Sequence, residues 1–588
     1  MEPLEAKSFS GASGDLFLSP AIASGAIDGV TNSIIAGDRL PLTSDIDLGE
    51  LMMPLPAIAP PSFPTTTIAI PKPVAIEGLH AHPQRDHLIQ RALDILPGAC
   101  ALFLISTLVW GTFFLPLPLA IMLVGFDVYW AWRSINTGIH VVRGHAILRR
   151  HKKIDWRQSY NEAAARGEAY LRWEEVRHIV IIPSYKESVE KLSTTLQTLV
   201  DQTLDRQQLV VVLALEGAEA GAAEKAQILQ KKFADRFMLF FPTFHPPDIE
   251  GEIRGKSSNE LWAARIAKRK LIDELGYDLD LVTVTSCDAD TQFPPNYYAC
   301  LTYKFATSRM RYRRFWQAPI FYYNNVWEVP APLRLSNSLG GLNQLVKLTR
   351  KHAIRFPQST YSLSLRMADE VGYWDPDIIS EDWHMMLKCF FLLNGNVNVE
   401  PIFLVVGNDG VRAHGYLRTF WEHYQQARRH AWGASDISYA IKMAAAHPEI
   451  SLLQRFRRTW SVFENHVLWS SQWFLITIGR AVPAAFVFLC ANGFLPASVM
   501  PMVPPWFNMM SAKILFPCMV PLAIMVGFDT FMRPPRPKTF PIWMYPVQFG
   551  QWFLMAPITF IFGALPGLDS QVRLILGKRL EYKCTEKA

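Results

Sequence analysis

Charge is thin in this chain, and cysteine is thinner still. Only 19% of the 588 residues are Asp, Glu, Lys or Arg, and the seven cysteines (Cys100, Cys287, Cys300, Cys389, Cys490, Cys518, Cys584) show no paired spacing. Such spacing excludes a disulfide framework and a Cys-pair zinc site, and fits reduced thiols. There is no recognition-helix signature and no basic stripe with interleaved aromatics, so the net charge of +6 makes no case for nucleic acid. The N-terminus lacks a basic start, and residues 16–27 are interrupted by Ser, Pro and Gly. No cleavable signal peptide is therefore expected, and the first membrane span acts as its own signal. No long internal repeat is visible.

Apolar residues are what the chain has in excess. It is 50% hydrophobic and 12% aromatic, with a mean hydropathy of +0.10. Segment 96–114 is free of charge and has about the ~20 residues that a bilayer-crossing helix needs. Segment 117–132 follows a Pro-containing turn and carries one carboxylate, Asp127. Three more candidates, 472–494, 514–531 and 543–565, lie near the C-terminus. Two apolar blocks around a polar middle point to a multi-pass membrane protein. Arg480 tests the third span, since a central Arg costs roughly 2.5–3.5 kcal/mol while each Leu, Ile, Phe or Val returns about 0.3–0.6. The span stays marginally favourable if Arg480 faces the bundle interior. Arg133, Arg143, Arg149, Arg150, Lys152 and Lys153 follow the second span and place the polar middle on the cytoplasmic side. The plasma membrane is the first expectation for location, with Golgi or another internal membrane second.

The expected organisation follows. Residues 1–85, rich in Ala, Ser, Pro and Gly, read as a mostly disordered tail, and 95–135 as two transmembrane helices. The stretch 155–435 alternates strands (176–182, 209–215, 237–241, 281–286) with helices (188–200, 217–233, 259–275). That alternation predicts an α/β domain with a mainly parallel sheet and helices on both faces. Residues 436–465 are basic and amphipathic, suited to a membrane surface. Residues 470–576 form a C-terminal block of three or four crossings, and 577–588 a tail.

The richest segment is the strand at 281–286, which ends on Asp288-Ala289-Asp290. In open α/β sheets ligands bind beyond the carboxyl ends of the strands. Two carboxylates there suit a hard divalent cation, Mg²⁺ or Mn²⁺, that bridges a diphosphate. Ser380-Glu381-Asp382 opens an apolar helix at 383–393, although a Ser before two acids is also a capping pattern. Gln426 and Arg429, three apart on a helix, share a face. An amide and a planar guanidinium there can grip a diphosphate and an acceptor hydroxyl; a basic helix lying on an anionic membrane is the alternative.

The ordered set Pro183-Ser184-Tyr185-Lys186-Glu187, Asp288-Ala289-Asp290, Glu381-Asp382 and Gln426-Ala427-Arg428-Arg429, between two membrane blocks, resembles the membrane-embedded family-2 glycosyltransferases. These include cellulose, chitin and hyaluronan synthases, and fungal type 2 members look most similar. The resemblance spans roughly residues 95–588 and implies a GT-A-like domain that binds a UDP-sugar. It implies nucleotide contacts from Pro183 and Glu187, with Lys186 in place of the usual Asn. Glu216 stands where the family has an Asp that reads the base, and Lys256 in Gly-Lys-Ser-Ser-Asn lies near the nucleotide; a solvated helix-start lysine is the alternative. Asp288 and Asp290 would hold metal and diphosphate, and Asp382 would be the general base with Glu381 beside it. Gln426 and Arg429 would line the acceptor and diphosphate site. His430 takes the family's Trp position, with Trp432 as the nearest aromatic. Tyr582, Thr585 and Lys587 resemble a gating loop, which needs an even number of crossings; Arg573, Lys578 and Arg579 favour that parity.

The implied activity is inverting transfer of a hexose to a growing cell-surface polysaccharide in cell wall biogenesis, processive and coupled to secretion. A non-processive transferase acting on a lipid acceptor is the alternative. A catalytically silent membrane scaffold that binds nucleotide sugar is the second alternative.

Overall fold

The computed structural model describes residues 83–538, 541–578 and 580, with 83–85 as backbone only. The expected tail lies outside these residues except for its last three, which are already helical. Tyr582, Thr585 and Lys587 also lie outside them.

Among the described residues nine strands run in chain order: β1 (Arg177–Ser184), β2 (Leu209–Glu216), β3 (Leu239–His245), β4 (Val282–Ser286), β5 (Arg314–Gln317), β6 (Ile320–Phe321), β7 (Tyr361–Ser364), β8 (Asn398–Pro401) and β9 (Val406–Gly407). Seven of them form one sheet in the order β3-β2-β1-β4-β7-β5-β8, while β6 and β9 pair separately. The pairings are parallel except where β7 meets β4 and β5. All eight residues of β2 are buried, as a strand covered on both faces requires. Its side chains divide by the two-residue period: Val211, Leu213 and Leu215 enter one hydrophobic layer, and Val210, Val212 and Ala214 the other. β1 does the same with Val180 and Ile182 against Ile179 and Ile181. Each such Val, Leu or Ile contributes about 1.5–3 kcal/mol by burial. One layer is closed by the helix Val189–Val200, which starts where the Ser188 side chain accepts from the Lys191 backbone N–H. The other is closed by the helix Lys256–Lys268. Strand order reverses between β1 and β4, so a crevice opens beyond Ser184 and Ser286.

Among the described residues, four helices are long and apolar enough to cross a membrane: Asp86–Phe114, Leu452–Ala491, Trp506–Met532 and Met544–Ile575. Segment 117–132, read as a crossing from the sequence, is not one of them. It belongs to the 36-residue helix Pro116–His151, about 54 Å long at 1.5 Å per residue, whose apolar character is diluted by Asp127 and Arg133. Asp127 is buried and accepts a 2.6 Å hydrogen bond from Ser511 Oγ, and Arg480 is one of the charges acting on it. The far end of that helix reaches the polar domain, where Leu148 joins Leu342 and Leu345 of the helix Ala331–Thr349. The expected interfacial stretch holds the helix Asp436–Ala446 and the start of Leu452–Trp473, which runs on into a membrane-type span.

Candidate active site

A cavity of about 720 Å³ opens beyond the carboxyl ends of β1, β2 and β4, and Pro183, Glu187, Glu216, Lys256, Asp288, Asp290, Glu381, Asp382, Gln426 and Arg429 all line it. Chain segments more than 200 residues apart thus meet at one edge of the sheet.

At its centre is Lys256, the first residue of its helix. Its ammonium lies 2.8 Å from Asp288 Oδ1 and 2.8 Å from Glu381 Oε1, and it donates to the Ser359 carbonyl at 2.7 Å. The reading of a solvated helix-start lysine does not apply. Burial works against the Lys256 charge, but Asp288, Glu381 and Glu260 outweigh it and hold its pKa well above the usual lysine value.

Asp382 stands in the first turn of the helix Glu381–Leu392. The Ser380 side chain makes no capping hydrogen bond. Asp382 itself accepts from the backbone N–H of Trp383 at 2.8 Å and of Ser359 at 3.1 Å. Burial, then the charge of Glu381, push its pKa up to about 7, against Lys256 and those two hydrogen bonds. Ser359 has φ 59°, a sparsely populated region for a non-glycine residue. Its hydroxyl donates to Asp288 Oδ2 while its N–H binds Asp382, so one residue ties two of the acids together.

Asp290 Oδ2 accepts from the Asp409 backbone N–H at 3.0 Å, and the Asp409 carboxylate pairs with Lys191 at 3.0 Å. The Glu187 carboxylate accepts from Ser184 Oγ at 2.9 Å and from the Tyr185 N–H at 2.6 Å, and burial raises its pKa. Lys186 has φ 71°, a left-handed conformation that Asn adopts more readily than Lys, and its ammonium sits 4.9 Å from the Tyr185 ring centroid. Glu216, the last residue of β2, pairs with His245 Nδ1 at 3.2 Å, and His245 Nε2 meets Glu252 at 2.8 Å. Burial opposes the His245 charge, yet the two glutamates lift its pKa to about 9.

Among the described candidate site residues, Trp432 does not line the cavity. It is buried with Ile437 and Leu574 in a separate apolar cluster, because two residues beyond His430 the chain has turned through about 200° of helix. His430 lines the cavity, and the aromatic rings there are Tyr185, Tyr322, Trp383, Trp469 and Phe562. Ser359, Asn408, Asp409, Lys191 and His245 escaped the sequence reading. Asn408-Asp409-Gly410 was visible as a turn signal, and His245 as a polar residue closing an apolar strand; Ser359 gave no signal.

Asp288 and Asp290 present hard oxygen donors to the cavity, and among the described residues no cluster of three His, Cys, Asp or Glu completes a protein-only metal site. The donor set fits a divalent cation that takes its remaining ligands from a diphosphate and water.

Residues 283–526 match the model of Glycosyl transferase family group 2. That match begins in β4 and takes in Asp288, Asp290, Glu381, Asp382, Gln426 and Arg429, while Pro183, Glu187, Glu216 and Lys256 precede it. No curated protein matches the chain. A mannosyltransferase, PcManGT from Pyrobaculum calidifontis, solved with GDP-Man and Mn²⁺, is similar at 15% identity and a TM-score of 0.38, covering 74% of this chain and 100% of that one. GalNAc-T7, solved with UDP, GalNAc and Mn²⁺, is similar at 15% identity and a TM-score of 0.27, covering 53% and 57%. At those values neither likeness bears on donor or metal here. The fold class agrees with the expectation in its architecture: a mixed, mostly parallel α/β sheet in a chain with membrane-type helices.

Proposed function

We propose that the chain is an inverting membrane glycosyltransferase that moves a hexose from a nucleotide sugar to a hydroxyl acceptor. The single observation that carries this reading is the convergence of Asp288, Glu381 and Asp382 around Lys256 and Ser359 in one cavity; the three acids lie within the segment matching the glycosyl transferase model.

In the proposed reaction the acceptor hydroxyl gives its proton to an Asp382 oxygen. The hydroxyl oxygen forms the new bond to the anomeric carbon, and the bond from that carbon to the diphosphate oxygen breaks on the opposite face. The nucleoside diphosphate leaves with the bonding electron pair. A carboxylate raised to about 7 suits this work, since a general base acts best with a pKa near the working pH. Lys256 keeps Asp288 and the Glu381-Asp382 pair at fixed separation, and Arg429 faces the same cavity as a charge for the leaving group. A divalent cation held by Asp288 and Asp290, Mg²⁺ or Mn²⁺, would supply charge neutralisation on the diphosphate. Glu216, held by His245, is the acceptor proposed to read the uracil of a UDP-sugar.

The catalytic domain is proposed to face the cytoplasm. The acceptor is proposed to arrive from the membrane side, where His466 and Trp469 of one span and Phe562 of another reach the cavity. A growing polysaccharide is the acceptor that the resemblance implies. Transfer of a single sugar to a lipid is favoured by a specific observation: His430 lines the cavity in the family's Trp position, and Trp432, the nearest aromatic in sequence, is turned into an apolar cluster. The test is to incubate the purified full-length protein with radiolabelled nucleotide sugars and a divalent cation, then size the product. A labelled polymer or a labelled lipid supports transfer; absence of both, and of donor breakdown, contradicts it.

A further inference from the structure

The cavity has two unlike walls. The strand-end wall carries all its carboxylates, Glu187, Glu216, Asp288, Asp290, Glu381 and Asp382. The opposite wall is built from the helices Ala331–Thr349 and Tyr416–Ala431 and two membrane-type spans; among the described residues it contributes no Asp or Glu, and its polar lining is cations, histidines, amides and the Ser336 hydroxyl, with Trp469 and Phe562 from the spans.

Lys347 is a half-buried cation of that second wall. Its ammonium lies 3.5 Å from Asn465 Oδ1 and 5.8 Å from the Trp383 ring centroid, and among the described residues no carboxylate forms an ion pair with it. Glu464, whose charge reaches it, is engaged by the Tyr129 hydroxyl at 2.6 Å. Burial, with Arg133 and Arg350 nearby, lowers the Lys347 pKa to about 8. Beside it stands His466, 3% exposed, with no hydrogen-bond partner among the described residues for either ring nitrogen. Its ring is 5.3 Å from that of Trp383, and both line the cavity. Buried polar groups in folded proteins are ordinarily paired; the His466 nitrogens are not, and the half-buried Lys347 ammonium beside them has an amide oxygen but no carboxylate, so the two together mark where a ligand brings negative charge. Trp383 touches both and follows Asp382 in the chain, so the anion's seat is one side chain away from the proposed base.

We propose that the acceptor is a hydroxylated phospholipid whose head-group phosphate docks on Lys347 and His466 while a hydroxyl of the same head group reaches Asp382. The inference rests on the transferase reading above and names the acceptor of that same site. A lipid fits better than a soluble phosphoester because His466, Trp469 and Phe562, on membrane-type spans, form this end of the cavity. A neutral glycan makes no use of an ammonium that has an amide but no carboxylate for a partner.

The test uses the full-length protein in uncharged detergent, with a panel of labelled nucleotide sugars and Mn²⁺. Four acceptors are compared: phosphatidylinositol, soluble glycerophosphoinositol, an uncharged hydroxylated glycolipid and a neutral oligosaccharide. Phosphatidylinositol is expected to take up label at least about tenfold faster than each of the others, the scale set by leaving a buried charge without its partner. Lys347→Met is expected to lower that preference by about tenfold, and Lys347→Arg to keep most of it. Equal or faster labelling of the uncharged glycolipid or the oligosaccharide overturns the proposal. Equal labelling of glycerophosphoinositol overturns the lipid assignment, and an unchanged preference in Lys347→Met overturns the role of Lys347. If Lys347→Met does not fold, the wild-type comparison alone decides. Donor breakdown with no labelling of phosphatidylinositol defeats the acceptor proposal and leaves the transferase reading standing; no donor breakdown with any sugar nucleotide defeats that reading itself.

Discussion

Lys256 is one ammonium set among three acids, at 2.8 Å from Asp288 and Glu381 and 3.8 Å from Glu260. Removing it leaves a buried cluster of like charge, and breaking a buried pair in this way costs about 3–5 kcal/mol. Lys256→Met is therefore expected to lower the Tm. It is also expected to raise the pKa of Asp382, because Lys256 is one of the groups that hold it down. In the wild type a base with a pKa of about 7 must be ionised to work, so kcat should rise with pH through that value. In Lys256→Met the acidic limb of the kcat–pH profile is expected to move to higher pH; a limb that stays in place contradicts the charge balance. Stability runs the other way. The folded pKa of Asp382 lies above the unfolded value of about 3.9, so its protonated form favours the fold. Its contribution is present at low pH and lost as pH rises from about 4 to about 7.

At the scale of elements, two contacts hold the cavity walls. The helix Ala331–Thr349 lies so close to β6 that a Cβ on Gly341 would meet Phe321 Cδ1 at 2.7 Å and the Ile320 carbonyl oxygen at 3.1 Å. The backbone cannot yield as a side chain can, so Gly341→Ala is expected to destabilise by about 1–3 kcal/mol, measured as a lower Tm. The helix carrying Asp382 is tied to the helix Asp436–Ala446 through His384, which meets Asp436 at 2.8 Å and Asp375 at 2.9 Å. Burial opposes the His384 charge, but Asp436 and Asp375 lift its pKa to about 9. The stabilisation is thus full below about 6.5, the unfolded value, and is lost as pH rises through about 9. His384→Gln is expected to flatten the fall of Tm between those values, and an unchanged slope contradicts the assignment. Elements were legible in the sequence where they were long and periodic: β1, β2, β4 and the helices between them lie within a few residues of their expected bounds. β5 to β9 are two to four residues each, too short for alternation to show. The helix Ala331–Thr349 also went unread, although it lines the cavity with Asn337, Asn343, Gln344 and Lys347.

Over the whole molecule, membrane-type helices flank the α/β domain, and the cavity takes side chains from both parts. The protein is accordingly expected to stay with membranes through an alkaline carbonate wash and to need detergent for release; release by the wash alone contradicts the reading of these helices as spans. The candidate site was legible to the extent that acids announce themselves beyond apolar strands and at helix starts. Asp288, Asp290, Glu381 and Asp382 were found that way, and they share the cavity. Trp432 was misplaced because nearness in sequence to His430 says nothing of which side of a helical turn a ring will take. Ser359 was missed because its role lies in a backbone angle and a tertiary approach. Asp382 is proposed to remove the acceptor proton at a donor site built on Asp288 and Asp290. The most direct test of this role is the turnover of purified Asp382→Asn with the labelled donor and acceptor that serve the wild type: a loss of about 10²–10⁴-fold is predicted for a missing general base, and turnover of at least about half the wild-type rate would contradict it.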